Sequence, residues 1–183
     1  GGQSEEEGWA AYAQLAGSGA EGEARREKLR DVLRRQQYHF GAHGLEMGVR
    51  YAEGALVPES APVTSPEGTD ELLTYVPSTR AGAHLPHAWL ERPGSRVRRS
   101  TLDICMPGQF TLLIGHGGDT WREAASRVSA VLGMPLAVAS IGLGLDWRDV
   151  DEDWAGLSAI DPDGCLLIRP DKVVAWRCHG QSA

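Results

Sequence analysis

The fold is decided by one stretch, FTLLIGHGGDTWREAASRVSAVLGMPLAVASI, at residues 110–141. Its first residues are an apolar run that predicts a buried strand ending in a glycine-rich turn. Thr120-Trp121-Arg122-Glu123 is a capping-box pattern, in which the threonine hydroxyl accepts from the N3 amide while the glutamate reaches back. The following helix has an apolar face and is expected to stop at Gly133. Residues 135–141 form a second apolar run, so we predict two parallel strands joined by a right-handed helical crossover.

The segments downstream of this stretch complete the fold. A polar stretch that contains Trp147 and Trp154 is expected to be partly helical. Cys165–Arg169 and Val173–Arg177 then flank Pro170-Asp171. Proline at the second position of a turn with aspartate beside it predicts a hairpin. The resulting order is β-α-β-α-β-β, which is the thioredoxin-like α/β core.

The segments upstream of residue 70 differ in composition from this core. Residues 1–20 are rich in glycine and glutamate and are expected to form a flexible tail. Residues 21–40 predict an amphipathic helix, with a narrow apolar stripe formed by Leu29, Val32, Leu33, Gln36 and Phe40. A short strand at 49–51 and a Pro/Ser/Gly-rich linker at 58–68 follow. We therefore predict a tail at 1–20, a helix, strand and linker at 21–69, and a thioredoxin-like domain at 70–183.

Composition and charge restrict the partners. The 183 residues carry a formal charge of −7, which repels nucleic acid and anionic membranes. No apolar run approaches the roughly 20 residues that cross a bilayer, and no basic-then-apolar leader is evident. The three cysteines form no CxxC pair, which is typical of reduced, packing thiols in a cytoplasmic protein. The chain begins with Gly1-Gly2, as expected for a piece of a longer protein.

The place where this fold normally carries its redox chemistry holds no cysteine. In a thioredoxin-type core, a reactive thiolate lies where the first parallel strand meets the helix N-terminus. Here that position reads Gly115-His116-Gly117-Gly118-Asp119-Thr120-Trp121. The glycines match neither GxGxxG nor a P-loop with its lysine, so a tight turn explains them better than a phosphate site.

Other candidate chemical groups are weak. His39 and His43 are four residues apart, which would let one helical face present both to zinc, but Gly41 lies between them. His84 and His87 flank a proline, which disfavours the helical geometry of a metal-ligand pair. The acids at 149, 151, 152 and 153 are expected to be a solvated face, because general acid–base pairs are isolated carboxylates in dry pockets. We predict no catalytic, cofactor or metal residue from these patterns.

An ordered set of motifs resembles a known family. The set comprises Tyr75–Ser78, Gly82–Leu90, Ser100–Asp103, Phe110–Leu113, Asp163–Asp171 and Ala175–Arg177. It is similar to the C-terminal third of the class A FAD-dependent aromatic monooxygenases, above all the phenol and 2,4-dichlorophenol 6-monooxygenase type and its polyketide-hydroxylase relatives. Phe40–Tyr51 resembles the segment that leaves the catalytic domain of that family. Ala81 and His84 stand where the family usually has proline and arginine, so the contact of that arginine is not expected here.

The resemblance implies a parent enzyme that hydroxylates a phenolic ring, with FAD as cofactor and NAD(P)H as reductant. The FAD-binding GxGxxG and the Gly-Asp-Ala segment of the family do not occur in this chain. The resemblance therefore implies a non-catalytic structural domain that binds no cofactor itself and packs against the N-terminal FAD/substrate domain, with a homodimer possible. The motif positions for which it implies a structural role are Gly82, Pro86, His87, Arg169, Pro170 and Asp171.

Two alternatives stay open. The helix at 21–40 has an apolar stripe without an obvious partner in the compact domain, which is typical of a dimerisation or interaction module of a polyketide or other aromatic hydroxylase. The fold alone also allows a cysteine-poor thioredoxin-fold redox protein, although the missing motif argues against it.

Overall fold

The computed structural model describes residues 4–60 and 65–180. Within these residues the chain forms six helices and seven strands in two sheets. The elements are α1 (Glu5–Leu15), α2 (Ala20–Phe40), α3 (His43–Met47), β1 (Trp89–Glu91), β2 (Arg98–Ser100), α4 (Thr101–Ile104), β3 (Phe110–Ile114), α5 (Asp119–Leu132), β4 (Leu136–Ser140), β5 (Arg148–Asp149), α6 (Trp154–Ser158), β6 (Cys165–Ile168) and β7 (Val174–Cys178).

The crossover predicted at 110–141 is confirmed. β3 and β4 are parallel, with a register that runs from Phe110 opposite Leu136 to Ile114 opposite Ser140. β3 is buried from its second residue to its last, as expected for an inner strand covered on both faces. α5 ends at Gly133 as predicted, with φ of 60°.

The start of α5 corrects one prediction. The helix begins at Asp119 and its N-cap is Gly118, which has no side-chain cap bond. Thr120 thus lies inside the first turn, so the predicted capping box with Glu123 is wrong. The chain enters the helix two residues earlier than predicted, because Gly118 packs directly on Ile114: a Cβ at Gly118 would lie 2.6 Å from the Ile114 Cβ.

The hairpin predicted at 165–177 is also confirmed. β6 pairs antiparallel with both β3 and β7, so the strand order is β4-β3-β6-β7. This is the order of a thioredoxin-like core, in agreement with the predicted fold class. In the turn, the Lys172 N–H donates to the Arg169 carbonyl at 3.0 Å, and Lys172 has φ of 69°. A turn followed by a left-handed residue is a common way to close a hairpin of this length.

A second sheet was not predicted from the sequence. It has the antiparallel order β2-β1-β5 and consists of strands of two or three residues. Leu90 of β1 is completely buried and lies opposite Asp149 of β5. The short β5 thereby places Asp149 beside the main core.

The core lies on both faces of the four-stranded sheet. The larger cluster joins one face to the second sheet and to α6, and contains Leu85, Leu90, Leu113, Ile141, Trp154, Leu166, Ile168 and Val174. The smaller cluster lies under α5, where Leu112, Ile114, Ala125 and Cys165 pack with Trp121 and Trp176. The two tryptophan rings meet edge-on at 5.6 Å. These tryptophans are core anchors, which is what large aromatic groups usually contribute.

The N-terminal segment is helical where the sequence predicted a loose tail. α1 has a complete capping box, in which Ser4 Oγ accepts from Glu7 N–H and the Glu7 carboxylate accepts from Ser4 N–H. Arg26 of α2 donates to the carbonyls of Leu15 and Gly17 at 2.8 Å each and closes the α1–α2 hairpin. The capping box stabilises the first turn of α1 within the stretch predicted as a tail at 1–20, of which residues 1–3 lie outside the described residues.

The predicted helix at 21–40 is present as α2, but its apolar stripe remains largely exposed. Leu33 is 56% and Phe40 84% exposed. A short strand was predicted at 49–51. The structure has only an isolated antiparallel bridge between Arg50 and Ala83 in this segment of the described residues. Residues 61–64 of the predicted linker lie outside the described residues.

None of the helices in the described residues is both long enough and apolar enough to cross a membrane.

Replacing Gly133 with alanine should lower the free energy of unfolding by about 1 kcal/mol, because an L-residue is strained at this left-handed position. A Cβ here would meet nothing within 4 Å, so the cost is conformational alone. Urea denaturation measures the change. Gly156→Ala is the matched control, since Gly156 lies within α6 with open space around it, and the substitution should be neutral or slightly stabilising. Equal effects of the two substitutions would contradict the prediction.

Candidate functional site

The turn after β3 occupies the position of a thioredoxin-type active site. Its glycines allow a close approach of the chain before β6: a Cβ at Gly115 would lie 2.6 Å from the Pro162 carbonyl oxygen, and one at Gly117 would lie 2.7 Å from the Asp163 Cβ. The Gly117 N–H donates to the Pro162 carbonyl at 2.8 Å, and the Trp121 indole N–H donates to the Asp163 carbonyl at 2.7 Å. The glycines are thus used for packing.

None of the three cysteines belongs to this turn. Burial raises the pKa of the Cys105 thiol to about 11 and that of Cys165 to about 12. At neutral pH both are therefore protonated thiols, and the thiolate is the reactive form. Cys178 lies opposite Cys165 across β6 and β7, and all three are free. They pack in the core as the sequence predicted.

A cavity of about 330 Å³ opens beside the turn, at the carboxyl ends of β3 and β4. We call it the end cavity. Its walls are mainly apolar and include Leu113, Ile114, Ile141, Trp154 and Ile160. Its polar lining includes His116, Asp149, Ser158 and Asp161. No lysine or arginine lines it among the described residues.

Asp149 corrects the prediction of a uniformly solvated acidic face. Asp151, Glu152 and Asp153 are exposed, whereas Asp149 is half-buried and lines the end cavity. Its Oδ2 accepts from the Trp154 N–H at 2.8 Å, while its Oδ1 is buried and has no hydrogen-bond partner among the described residues. The sequence pattern missed this because only the pairing of β5 with β1 separates Asp149 from its acidic neighbours.

His116 lies at the mouth of the end cavity. Its Nε2 lies 2.9 Å from the Leu143 carbonyl oxygen. Because a carbonyl only accepts, Nε2 carries the proton of this hydrogen bond. His116 thereby links the turn after β3 to the loop after β4.

The other histidines do not come together. His39 is exposed near the end of α2, and His43 Nδ1 lies 4.0 Å from the carboxylate of Glu46. His84 Nδ1 lies 3.3 Å from the Leu85 carbonyl oxygen. The described residues contain no group of three or more His, Cys, Asp or Glu side chains arranged to hold a metal ion.

Most of the motif positions lie along one line of contact, which we call the seam. Here residues 51–59 of the upstream segment contact the thioredoxin-like core at Gly82, at the turn Arg169–Asp171 and at β7. Gly82 has φ of 89°, and a Cβ there would lie 2.0 Å from the Tyr51 carbonyl oxygen. The Tyr51 N–H donates to the Gly82 carbonyl at 2.9 Å, and the Gly82 N–H donates to the Val174 carbonyl at 2.8 Å. Gly82 therefore joins the upstream segment to β7.

Arg169, Pro170 and Asp171 form the adjacent part of the seam. The Arg169 guanidinium binds both carboxylate oxygens of Asp171, at 3.0 and 2.5 Å, and lies 5.6 Å from the centre of the Tyr51 ring. Burial of the Asp171 carboxyl is outweighed by the hydrogen bond from Arg169, so its pKa lies below the ordinary value. The ion pair fixes the turn that Pro170 begins and holds Tyr51 against it.

Pro86 and His87 lie in the extended segment before β1. Pro86 is fully buried, and its carbonyl accepts from the Thr101 hydroxyl at 2.7 Å. His87 Nδ1 lies 2.7 Å from Ser100 Oγ, and its ring meets Trp89 edge-on at 4.6 Å. Both residues connect this segment to the junction of β2 and α4.

Glu59 is a seam residue that the sequence reasoning assigned to a linker. Its carboxylate accepts from Arg177 Nη2 at 2.6 Å and from the Ala81 N–H at 3.1 Å, and lies 3.7 Å from Arg80. The Arg177 side chain is only 7% exposed. Two residues earlier, the Val57 N–H donates to the Ala175 carbonyl of β7 at 2.7 Å. Val57 and Glu59 are therefore bound to the core, and Glu59 makes these contacts from within the predicted linker at 58–68.

Comparison with known proteins identifies this architecture. The family model described as "Aromatic-ring hydroxylase, C-terminal" matches residues 78–183. The chain is 40% identical over 165 residues to a 2,4-dichlorophenol 6-monooxygenase of Delftia acidovorans, covering 90% of this chain and 28% of the relative. It is 37% identical over 164 residues to a phenol 2-monooxygenase of Pseudomonas sp., covering 89% of this chain and 26% of the relative.

Solved structures agree. The flavin-dependent monooxygenase PieE, solved in complex with FAD and substrate, matches with a TM-score of 0.86 at 42% identity over 99% of this chain and 31% of that protein. Aklavinone-11 hydroxylase, solved with FAD and aklavinone, matches with a TM-score of 0.62 at 32% identity over 77% of this chain and 24% of its own. The chain thus spans about a quarter to a third of the length of these relatives. The resemblance found in the sequence is confirmed, and the chain belongs to the family of aromatic-ring hydroxylase C-terminal domains.

Proposed function

We propose that this chain is the non-catalytic C-terminal domain of an FAD- and NAD(P)H-dependent hydroxylase of phenolic rings, and that its role is structural. In this proposal FAD and the aromatic substrate bind to the N-terminal part of the parent enzyme. The thioredoxin-like domain, over 70–183, holds the segment that leaves that part. The three free cysteines fit a reducing compartment, so the proposed location is the cytoplasm.

The seam carries this proposal. Tyr51, Val57 and Glu59 are bound to Gly82, Ala175 and Arg177 respectively, so the chain upstream of the core is fixed to it over several residues. Buried or half-buried ion pairs are geometrically demanding, and here they position a connection. Such a connection is expected of a domain that stabilises the neighbouring N-terminal domain of the parent enzyme.

Exposed apolar side chains just upstream of the seam support the same role. Phe40, Leu45, Met47 and Val49 are each at least half exposed. A surface this rich in apolar groups usually marks a contact with another protein surface. We propose that the N-terminal FAD/substrate domain covers it.

A flavin titration tests the proposal. We expect FAD to keep the absorption and fluorescence of the free cofactor when the purified chain is added, and NAD(P)H oxidation with phenol to stay at the level of a heat-unfolded control. Stoichiometric FAD binding with shifted flavin bands would refute the claim that the flavin site lies elsewhere. The continuous reading frame upstream is expected to encode GxGxxG after a strand.

The second candidate function is dimerisation through the α1–α2 hairpin. Trp9 and Tyr12 of α1 are 66% and 68% exposed, and the apolar stripe of α2 is largely exposed beside them. Sedimentation velocity at high micromolar concentration distinguishes the candidates, because a clean monomer would contradict dimerisation of this chain.

A further inference from the structure

β4 is an outer strand of the four-stranded sheet, and part of its outer edge carries no hydrogen bonds. β3 pairs with one side of it, and no strand of the described residues pairs with the other. The loop after β4 covers the outer edge at Ser140, whose N–H donates to Asp146 Oδ2 and whose carbonyl accepts from the Trp147 N–H, both at 3.0 Å. Backbone groups alternate between the two sides of a strand, so the N–H and carbonyl of Val138 point to the same side as those of Ser140. Nothing in the described residues bonds to these two groups of Val138.

A polar cleft of about 730 Å³ lies along this open edge, and we call it the edge cleft. Its lining includes three consecutive residues of β4, at 138–140, together with Arg92, Arg122 and Trp147. Val138 is half-buried rather than enclosed in the core. The unpaired edge of β4 therefore faces the cleft.

The edge cleft is basic, although the chain as a whole has a net charge of −7. The Arg92 guanidinium lies 4.8 Å from the centre of the Trp147 ring and makes no ion pair with any described residue. Arg122 is paired with Asp146 at 3.1 Å, and both side chains are about half exposed. Asp146 is the only carboxylate among the described residues that line the cleft, so one of the two guanidinium charges is left uncompensated. A carboxylate from outside is therefore attracted to the cleft.

The open strand edge and the basic lining together determine the kind of partner. The unpaired N–H and carbonyl groups of an edge strand are completed by an extended segment that adds one more strand. A small anion would meet the arginines but leave the strand edge unpaired. A second copy of β4 would bring two more arginines into the same cleft, where like charges repel. β4 itself, Leu136–Ser140, contains no carboxylate to meet them.

We propose that the edge cleft binds an extended acidic segment of a partner protein, which pairs with β4 at Val138 and places a carboxylate against Arg92. Side chains alternate between the two faces of a strand, so a segment in which every second residue is acidic presents its carboxylates on one face. β-branched residues at the positions between them favour the extended conformation. The edge cleft shares no residue with the seam, so its occupancy does not depend on the structural role proposed above.

Binding is tested by NMR titration of the ¹⁵N-labelled full chain with the acetylated and amidated peptide EVEVEV. We expect shifts at the amides of Val138 and Ala139 and at the Trp147 indole, and slower hydrogen exchange at Val138. Tricarballylate, which has three carboxylates but no peptide backbone, should bind about tenfold more weakly, as expected for the loss of at least one hydrogen bond. The peptide KVKVKV should not bind.

Four results would overturn the proposal. Equal affinity for tricarballylate would mean that charge alone attracts the peptide. Binding of KVKVKV, or shifts confined to another part of the chain, would exclude the edge cleft as an acidic-peptide site. Absence of EVEVEV binding at millimolar concentration would do the same. Shifts at Val138 that depend on the concentration of the chain without peptide would assign the edge to a second copy.

Two variants locate the site. Arg92→Gln should weaken EVEVEV binding about threefold, the effect of one exposed ion pair. Val138→Pro removes the outward N–H and spares the pairing with β3, so it should weaken binding about tenfold. Arg96→Gln is the matched control and should bind as the wild type does, because Arg96 is exposed in the same β1–β2 connection but does not line the cleft. Arg92→Gln keeps the test valid if Val138→Pro fails to fold, and unchanged binding in the folded test variants would also overturn the proposal.

Discussion

Substitution of Gly82 with alanine should lower the free energy of unfolding by about 3 kcal/mol, which is large for a single methyl group. The backbone has φ of 89°, where L-residues are strained, and the new Cβ would lie 2.0 Å from the Tyr51 carbonyl oxygen. No flexible side chain can move to relieve this overlap, since the neighbour is backbone. The upstream segment must therefore leave the seam. Urea denaturation measures the loss, and hydrogen exchange at the Tyr51 amide reports its location.

Gly94→Ala separates the two contributions to that loss. Gly94 has φ of 76°, but a Cβ there would meet nothing within 4 Å. We expect a cost of about 1 kcal/mol from backbone strain alone. Similar losses in the two variants would mean that close packing against Tyr51 contributes nothing, and the seam would then lose its main support as a brace.

The contrast between these glycines shows what the sequence can and cannot predict. The apolar pattern and the glycine and proline residues that interrupt it were sufficient to predict the crossover at 110–141 and the hairpin around Pro170. Each strand, helix and turn in these segments is marked by residues close to one another in sequence. The seam depends instead on pairs such as Tyr51 with Gly82 and Glu59 with Arg177, which are far apart along the chain. No local pattern marks such pairs. The family resemblance singled out Gly82, but only the structure explains why a side chain does not fit there.

The same limit applied to the end cavity. Asp149 looked like its neighbours 151–153 in sequence, and a two-residue strand is too short to produce a periodic signal. Its pairing with β1 decides that one carboxylate oxygen is buried. The sequence correctly placed the turn at Gly115, whereas the cavity beside it arises from the meeting of five separate segments around β3, β4, β5, α6 and the chain before β6.

Removing the charge of Glu59 should cost about 2–3 kcal/mol, because it leaves the guanidinium of Arg177 buried without its carboxylate. Glu59→Gln and Arg177→Met should each destabilise the chain, and the double variant should cost much less than the sum, since neither charge is then left alone. Arg177→Met keeps most of the side-chain volume. Urea denaturation at neutral pH of the wild type and the three variants measures this coupling.

The pH dependence of stability supplies an independent test of the same pair. Burial raises the pKa of the Glu59 carboxyl, but the hydrogen bonds from Arg177 and from the Ala81 N–H outweigh this and hold the pKa below its ordinary value. A lowered pKa in the folded state contributes stability that is complete above the unfolded-state pKa and is lost as the pH falls through the folded-state pKa. The wild type should therefore lose stability on acidification below about pH 5 more steeply than Glu59→Gln. Glu53→Gln is the control, because Glu53 is exposed, and this variant should follow the wild type. If Glu59→Gln retained the full acid slope, the carboxylate would not be held by Arg177 in solution, and the upstream segment would have to be fixed by the backbone contacts at Gly82 and Val57 alone.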